Sequence, residues 1–111
     1  MNIQIFGTKK CKNTQKAERF FKERNIKFHL VNLAEKGIAK GELNNVARAI
    51  DLEDIIDTES QAYKKGGYEY KIFDIETELL ENPLLIKSPI VRNGSKATVG
   101  LETDTWKDWL K

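Results

Sequence analysis

Two stretches of alternating apolar residues flank one in which apolar residues recur every three to four positions. That pattern limits the start of the chain more than any other feature does. Ile3 and Ile5 alternate with Asn2 and Gln4. Ala17, Phe20, Phe21 and Arg24 then follow helical spacing, with Arg24 able to lay its stem along the apolar stripe, and Ile26, Phe28 and Leu30 alternate again to about Asn32. The spacing predicts a helix from about Lys12 to Glu23, ended by Asn25. Strand, helix, strand in this order is a βαβ unit, so the two strands should be parallel and the crossover right-handed. Gly7 is read as the residue that lets the loop after the first strand turn tightly. Cys11, the only cysteine, falls at or just before the helix N-terminus. Unpaired N–H groups and the positive end of the helix dipole stabilise an anion there, and for a cysteine that anion is the thiolate.

The middle of the chain reads as helical. Leu43, Val46, Ala47 and Ile50 mark a second helix, and Leu52, Ile55 and Ile56 continue its apolar surface past a break near Asp51. Thr58-Glu59-Ser60-Gln61 fits a capping box opening a short third helix, which Gly66-Gly67 stops. Tyr68 to Ile72 reads as an extended loop. Asp74 can cap a fourth helix carrying Ile75, Leu79 and Leu80, ended at Asn82-Pro83. Ser88-Pro89-Ile90-Val91 begins the last sheet segment, Asn93-Gly94 signals a hairpin turn, and Ala97, Thr98 and Val99 return. A final helix, capped by Thr103 or Asp104, places Trp106, Trp109 and Leu110 on one face to dock on the sheet. The order βαβ, helices, ββα is that of a thioredoxin-like domain of glutaredoxin type. The expectation is α/β: one domain over 1–111, a mixed four-stranded sheet, a core of about 1–33 and 87–111, and a helical insertion of about 34–86.

Composition excludes several classes of function. With 111 residues and a net charge of +2, the chain lacks the basic, aromatic-interleaved surface of a nucleic-acid groove. No apolar run approaches a membrane span, and the N-terminus shows no apolar segment of a signal peptide, so neither membrane nor secretion is expected. One cysteine allows no internal disulfide and suits a reducing cytoplasm. One Cys and one His make a metal site unexpected.

Three stretches carry a resemblance. They are Ile5-Phe6-Gly7-Thr8-Lys9-Lys10-Cys11 running into Thr14 and Lys16-Ala17, then Asn82-Pro83-Leu84-Leu85-Ile86-Lys87-Ser88-Pro89-Ile90-Val91, and finally Val99-Gly100 before the terminal helix. Together they resemble the arsenate reductase family, which also contains the Spx-type regulators. The resemblance implies a thioredoxin-like fold, a redox nucleophile at Cys11, and a cis Pro89 facing it that exposes the Ser88 backbone to a peptide-like thiol. Arsenate-reducing members of the glutathione-coupled branch carry His four residues before the cysteine, Arg four after it and Arg before the proline. Here these positions are Gly7, Gln15 and Ser88, and two further family arginines fall near Asp57 and Gly100. An oxyanion site needs several cationic donors, so arsenate is not the expected substrate. Spx-type members carry Cys-x-x-Cys, whereas this chain has Cys11-Lys12-Asn13-Thr14 and so no internal redox switch.

The expected site therefore comprises Cys11 as nucleophile and Thr14 as a hydrogen-bond donor to its sulfur. Lys12, Asn13, Lys87, Ser88 and Pro89 are the expected substrate contacts. Lys9, Lys10, Lys12 and Lys16 are expected to favour the thiolate and to steer an anionic thiol. With no second cysteine, a mixed disulfide on Cys11 must be resolved from outside, by glutathione as co-substrate or by a glutaredoxin. No bound cofactor is expected. The alternative is a module that docks on RNA polymerase, as Spx-type regulators do. His29, the only histidine, lies on the strand face opposite Phe28 and Leu30 and is not expected to act as a base.

Overall fold

The structure is a computed structural model that describes residues 2–111. Its sheet comprises β1 (Ile3–Gly7), β2 (Phe28–Asn32), β3 (Ile90–Asn93) and β4 (Lys96–Val99) in the order β2-β1-β3-β4. β1 and β2 are parallel, in the register Ile3 to Phe28 through Gly7 to Asn32. β3 runs antiparallel to both β1 and β4. α1 (Lys12–Glu23) makes the crossover between β1 and β2. Between β2 and β3 lie α2 (Lys40–Ala47), α3 (Leu52–Ile55), α4 (Gln61–Lys65) and α5 (Ile75–Glu81), and α6 (Thr103–Trp109) follows β4. The fold is thus the expected thioredoxin-like one, with a helical insertion between the second and third strands.

Strand alternation gives the sheet two apolar faces. On one, Ile3, Ile5 and Val91 pack against Ala17, Phe20 and Phe21 of α1 and Trp106 of α6. On the other, Phe6, Val31 and Ile90 pack against Leu43, Val46, Ile55 and Leu79 of the insertion. The Arg24 side chain lies over the Phe20 ring at 3.8 Å, as its snorkelling stem allows, and its Nη1 donates to the Phe20 carbonyl at 3.1 Å.

Away from the cysteine loop, four local details differ from the sequence reading. The cap of α4 is Ser60, whose Oγ accepts from the Tyr63 N–H at 3.1 Å; a box opening at Thr58 is not what forms. Asp57 explains the shift. Its Oδ1 takes the Glu59 N–H and its carbonyl takes the Ser60 hydroxyl, so the chain turns before the helix can begin. Tyr68–Tyr70 is a 3-10 turn, because Tyr68 stacks on Tyr63 at 5.5 Å and meets Phe73 edge-on at 4.8 Å. The cap position of α6 is Glu102 rather than Thr103 or Asp104.

The fourth difference is the hairpin turn, whose two loop residues are Gly94-Ser95, with Asn93 still paired to Lys96. Gly94 takes φ +61, and a Cβ there would meet nothing within 4 Å. Gly94→Ala should therefore show a purely conformational cost of about 1–2 kcal/mol, read from the denaturant midpoint. An unchanged midpoint would mean that the turn re-forms with other dihedrals. Asp74 caps α5 as expected, accepting from the Thr77 N–H at 3.1 Å.

Candidate functional site

The site forms where the C-terminal end of β1 meets the N-terminal end of β3. After Gly7 the chain makes one turn, closed by the Cys11 N–H to the Thr8 carbonyl at 3.2 Å. The Gln15 amide reaches back to the Lys9 carbonyl at 2.6 Å. Cys11 is the N-cap residue of α1, in extended conformation at φ −76 and ψ 116. Its sulfur therefore stands at the positive end of a twelve-residue helix whose first turn holds no acidic residue to compete with an anion there.

Facing it is Ser88-Pro89, with a cis peptide bond as expected. This segment is pinned on both sides. The Lys87 N–H donates to the Ile55 carbonyl and the Asp57 N–H to the Leu85 carbonyl, both at 2.7 Å, and Ile56 bridges Ile86. Beyond the proline, the Pro89 carbonyl accepts from the Gly100 N–H at 2.8 Å. Each of these bonds uses backbone that would otherwise be an unsatisfied loop group, so they hold the segment in place beside the thiol.

The Cys11 thiol donates to the Ser88 carbonyl at 3.7 Å. Partial burial of the sulfur pushes its pKa up. Hydrogen bonds to the sulfur from the Ser88 side chain, the Thr14 side chain and the Thr14 and Asn13 backbone pull it down by more, and the thiol lies below its ordinary value. Thr14 Oγ1 is buried and has no other hydrogen-bond partner, which leaves it free to donate to the sulfur.

Of the residues expected at the site, Cys11, Thr14, Ser88, Pro89 and the backbone of Asn13 come together. The Lys12, Asn13 and Lys87 side chains are exposed, and no contact joins them to the sulfur. The groups that lower the thiol pKa are the Ser88 and Thr14 hydroxyls and the Thr14 and Asn13 backbone N–H groups, while the lysine heads stand in water, which screens them. His29 is exposed on the edge strand level with Gln4, three residues before the end of β2, about 10 Å down the strand.

The residues standing where arsenate-reducing members carry cations are each tied into local structure here. A Cβ on Gly7 would lie 2.6 Å from Thr14 Cγ2 and closer still to Thr14 Oγ1, so Gly7 is the space into which Thr14 fits. This replaces the reading of Gly7 as a turn residue: it is the last residue of β1. Gln15 is bonded to Lys9, Asp57 to Glu59, and Gly100 takes φ +84, which side chains rarely adopt. Sequence reasoning missed the Gly7–Thr14 fit and the Ser88 hydroxyl as a donor to the sulfur. Only the presence of small residues at both positions hinted at them. Among the described residues no cluster of three or more His, Cys, Asp or Glu side chains could hold a metal, and no helix is long and apolar enough to cross a membrane.

Comparison with known proteins finds relatives along nearly the whole chain. The uncharacterised protein YusI of Bacillus subtilis (strain 168) is 26% identical over 97% of this chain and 98% of its own length. The global transcriptional regulator Spx 2 of Oceanobacillus iheyensis is 28% identical over 99% of this chain and 84% of its own. Among solved structures, the arsenate reductase from Vibrio cholerae superposes with a TM-score of 0.83 over 97% of each chain at 17% identity, a likeness of fold. Residues 6–109, nearly the whole chain, match the ArsC family, and the chain belongs to that family.

Proposed function

We propose that this protein is a thiol–disulfide oxidoreductase of the cytoplasm with one nucleophilic cysteine, resolved by an external thiol. The observation that supports it most is the sulfur of Cys11 at a helix N-cap, opposite Ser88-Pro89, with hydroxyl and N–H groups that favour the thiolate. The Cys11 thiolate attacks one sulfur of a substrate disulfide. A Cys11–sulfur bond forms, the substrate S–S bond breaks, and the departing thiolate takes a proton from water. A glutathione thiolate, or one from a glutaredoxin, then attacks the substrate sulfur of the mixed disulfide and releases the Cys11 thiolate. A second external thiol reduces the resulting mixed disulfide, so two thiols are oxidised for each substrate disulfide reduced. Arsenate is a poor candidate substrate, since Gly7, Gln15, Ser88, Asp57 and Gly100 offer no cationic side chain where the family's oxyanion ligands stand.

The test is the pH dependence of iodoacetamide alkylation on native protein. The midpoint should fall below the free-cysteine value of about 8.5. Thr14→Val, which removes the hydroxyl and nearly keeps the shape, should raise it. A midpoint at or above free cysteine, unmoved by Thr14→Val, would sink this reading.

The alternative is a docking module on RNA polymerase. In its favour are the 28% identity to a regulator named Spx 2 and the exposed Tyr70 and Ile72 of the insertion, 89% and 105% accessible. An unactivated Cys11 would make this the better reading.

A further inference from the structure

The net charge of +2 conceals a strong segregation. Residues 34–86 carry 12 acidic and 6 basic side chains, a net of −6. Residues 1–33 and 87–111 carry 5 acidic and 13 basic, a net of +8. The half of the chain that contributes Cys11 and Ser88-Pro89 is therefore strongly cationic, although the whole is nearly neutral.

Part of that charge gathers in a groove of about 310 Å³ between α1 and α6. Lys16, Arg19 and Arg24 line it from α1 and Lys107 from α6, with Glu23 the single carboxylate. Phe20 and Leu101 supply the apolar part of its lining. Arg24 is occupied with Phe20. Lys16, Arg19 and Lys107 are exposed and form no salt bridge among the described residues. Three cations without salt-bridge partners, set beside two apolar side chains and one carboxylate, leave the groove complementary to negative charge carried on a partly apolar chain.

Both walls of the groove belong to segments that lead away from the thiol site. The α1 wall starts at Lys16, five residues beyond Cys11. The other wall, Leu101 and Thr103, follows Gly100, which is bonded to the Pro89 carbonyl. At 1.5 Å per residue along α1, the groove runs from about 8 Å beyond Cys11, at Lys16, to about 20 Å, at Arg24. A tripeptide thiol attached to Cys11 is too short to reach the far end. About six residues of extended polypeptide span it.

We propose that this groove holds an acidic, partly apolar polypeptide segment adjoining the cysteine of a protein disulfide that Cys11 attacks. The proposal rests on Cys11 being the nucleophile and adds the class of substrate: a protein with acidic residues beside its disulfide, rather than a low-molecular-weight disulfide alone.

The test uses eight-residue peptides with one cysteine held as a mixed disulfide with thionitrobenzoate, flanked by Glu and Leu, by Gln and Leu, or by Lys and Leu. Attack by Cys11 releases thionitrobenzoate, and each rate is divided by that of mercaptoethanol with the same peptide. The acidic peptide should outpace the basic one by about tenfold or more at low ionic strength, with the gap closing toward 1 M salt. Arg19→Glu and Lys107→Glu should each narrow the gap several-fold, and together reverse it. Equal rates for acidic and basic peptides, or a gap that survives both substitutions, would overturn the groove.

A cysteine-free fluorescent acidic peptide, followed by anisotropy on Cys11→Ser protein, separates the two claims. Release absent with every peptide but a salt-sensitive anisotropy rise, lost in Arg19→Glu/Lys107→Glu, refutes the nucleophile and keeps the groove. No rise together with no peptide preference refutes the groove, whatever the reactivity of Cys11.

Discussion

Trp106→Ala should destabilise the protein by about 3–5 kcal/mol, a large part of the roughly 5–15 kcal/mol available to a domain of this size. Trp106 is fully buried, and its ring lies 5.3 Å from that of Phe20 and 5.5 Å from that of Phe21. It joins α6 to α1 and to the sheet at once, so truncation opens a cavity that three elements would have to close. Its indole N–H also donates to Thr98 Oγ1 at 2.8 Å, a buried pair on β4. Trp106→Phe keeps an aromatic ring but leaves the Thr98 hydroxyl without this partner, and should cost about 1–3 kcal/mol for that loss in addition to the lost volume. Thr98→Val in that background removes the orphaned hydroxyl and should recover part of it. Urea melts of the four proteins make the measurement. A Trp106→Ala midpoint within error of wild type would mean that α6 does not anchor the sheet face. The effect also reaches the site, because the Gly100 N–H that holds the Pro89 carbonyl lies between β4 and α6.

What the sequence disclosed follows the range of the forces involved. The helix over Lys12–Glu23, the two parallel strands and the position of Trp106 were legible because periodicity records which face is buried. The cap at Asp74 was legible because it involves residues three apart. The cap at Ser60 was misplaced by two residues, since Asp57 competes for the same backbone groups. The 3-10 turn at Tyr68 depends on Tyr63 and Phe73 as packing partners, which alternation cannot reveal. At the site, the place of Cys11 at a helix N-terminus was legible from periodicity, and the cis Pro89 through the family resemblance. The donor set around the sulfur was legible only in part. Thr14 was foreseen, whereas Ser88 was expected as a substrate contact and its hydroxyl as a donor to the sulfur was not, because that contact depends on how a distant segment is placed. Pinning of Ser88 by Ile55 and Asp57 joins segments some thirty residues apart, and no local pattern encodes it.

Gly7→Ala isolates what the fit of Thr14 contributes, and its effects on stability and on chemistry should separate. A Cβ at position 7 clashes with Thr14 Oγ1 and stands 2.6 Å from Cγ2. Gly7 is buried at the end of β1, paired with Asn32, and its carbonyl accepts from the Leu33 N–H at 2.8 Å, so the strand cannot easily withdraw. The side chain of Thr14 must move instead. Overpacking of this kind costs about 1–3 kcal/mol. Turning Thr14 away also takes a hydroxyl from the Cys11 sulfur, so the thiol pKa should rise and alkylation near neutral pH should slow. Thr14→Ala removes both clashing atoms. Gly7→Ala/Thr14→Ala should therefore regain most of the stability lost by Gly7→Ala while its thiol pKa stays raised, as in Thr14→Ala alone. The sign of the linkage follows. Lowering the pKa on folding adds stability that is fully present above the unfolded-state value and is lost as pH falls through the folded one. The stability difference between wild type and Thr14→Ala should accordingly widen as pH rises through that window. Denaturant melts and alkylation profiles on the same four proteins read both quantities. If the double variant recovers the low thiol pKa along with stability, the Thr14 hydroxyl is not a donor to the sulfur, and Ser88 with the backbone N–H groups carries the activation alone.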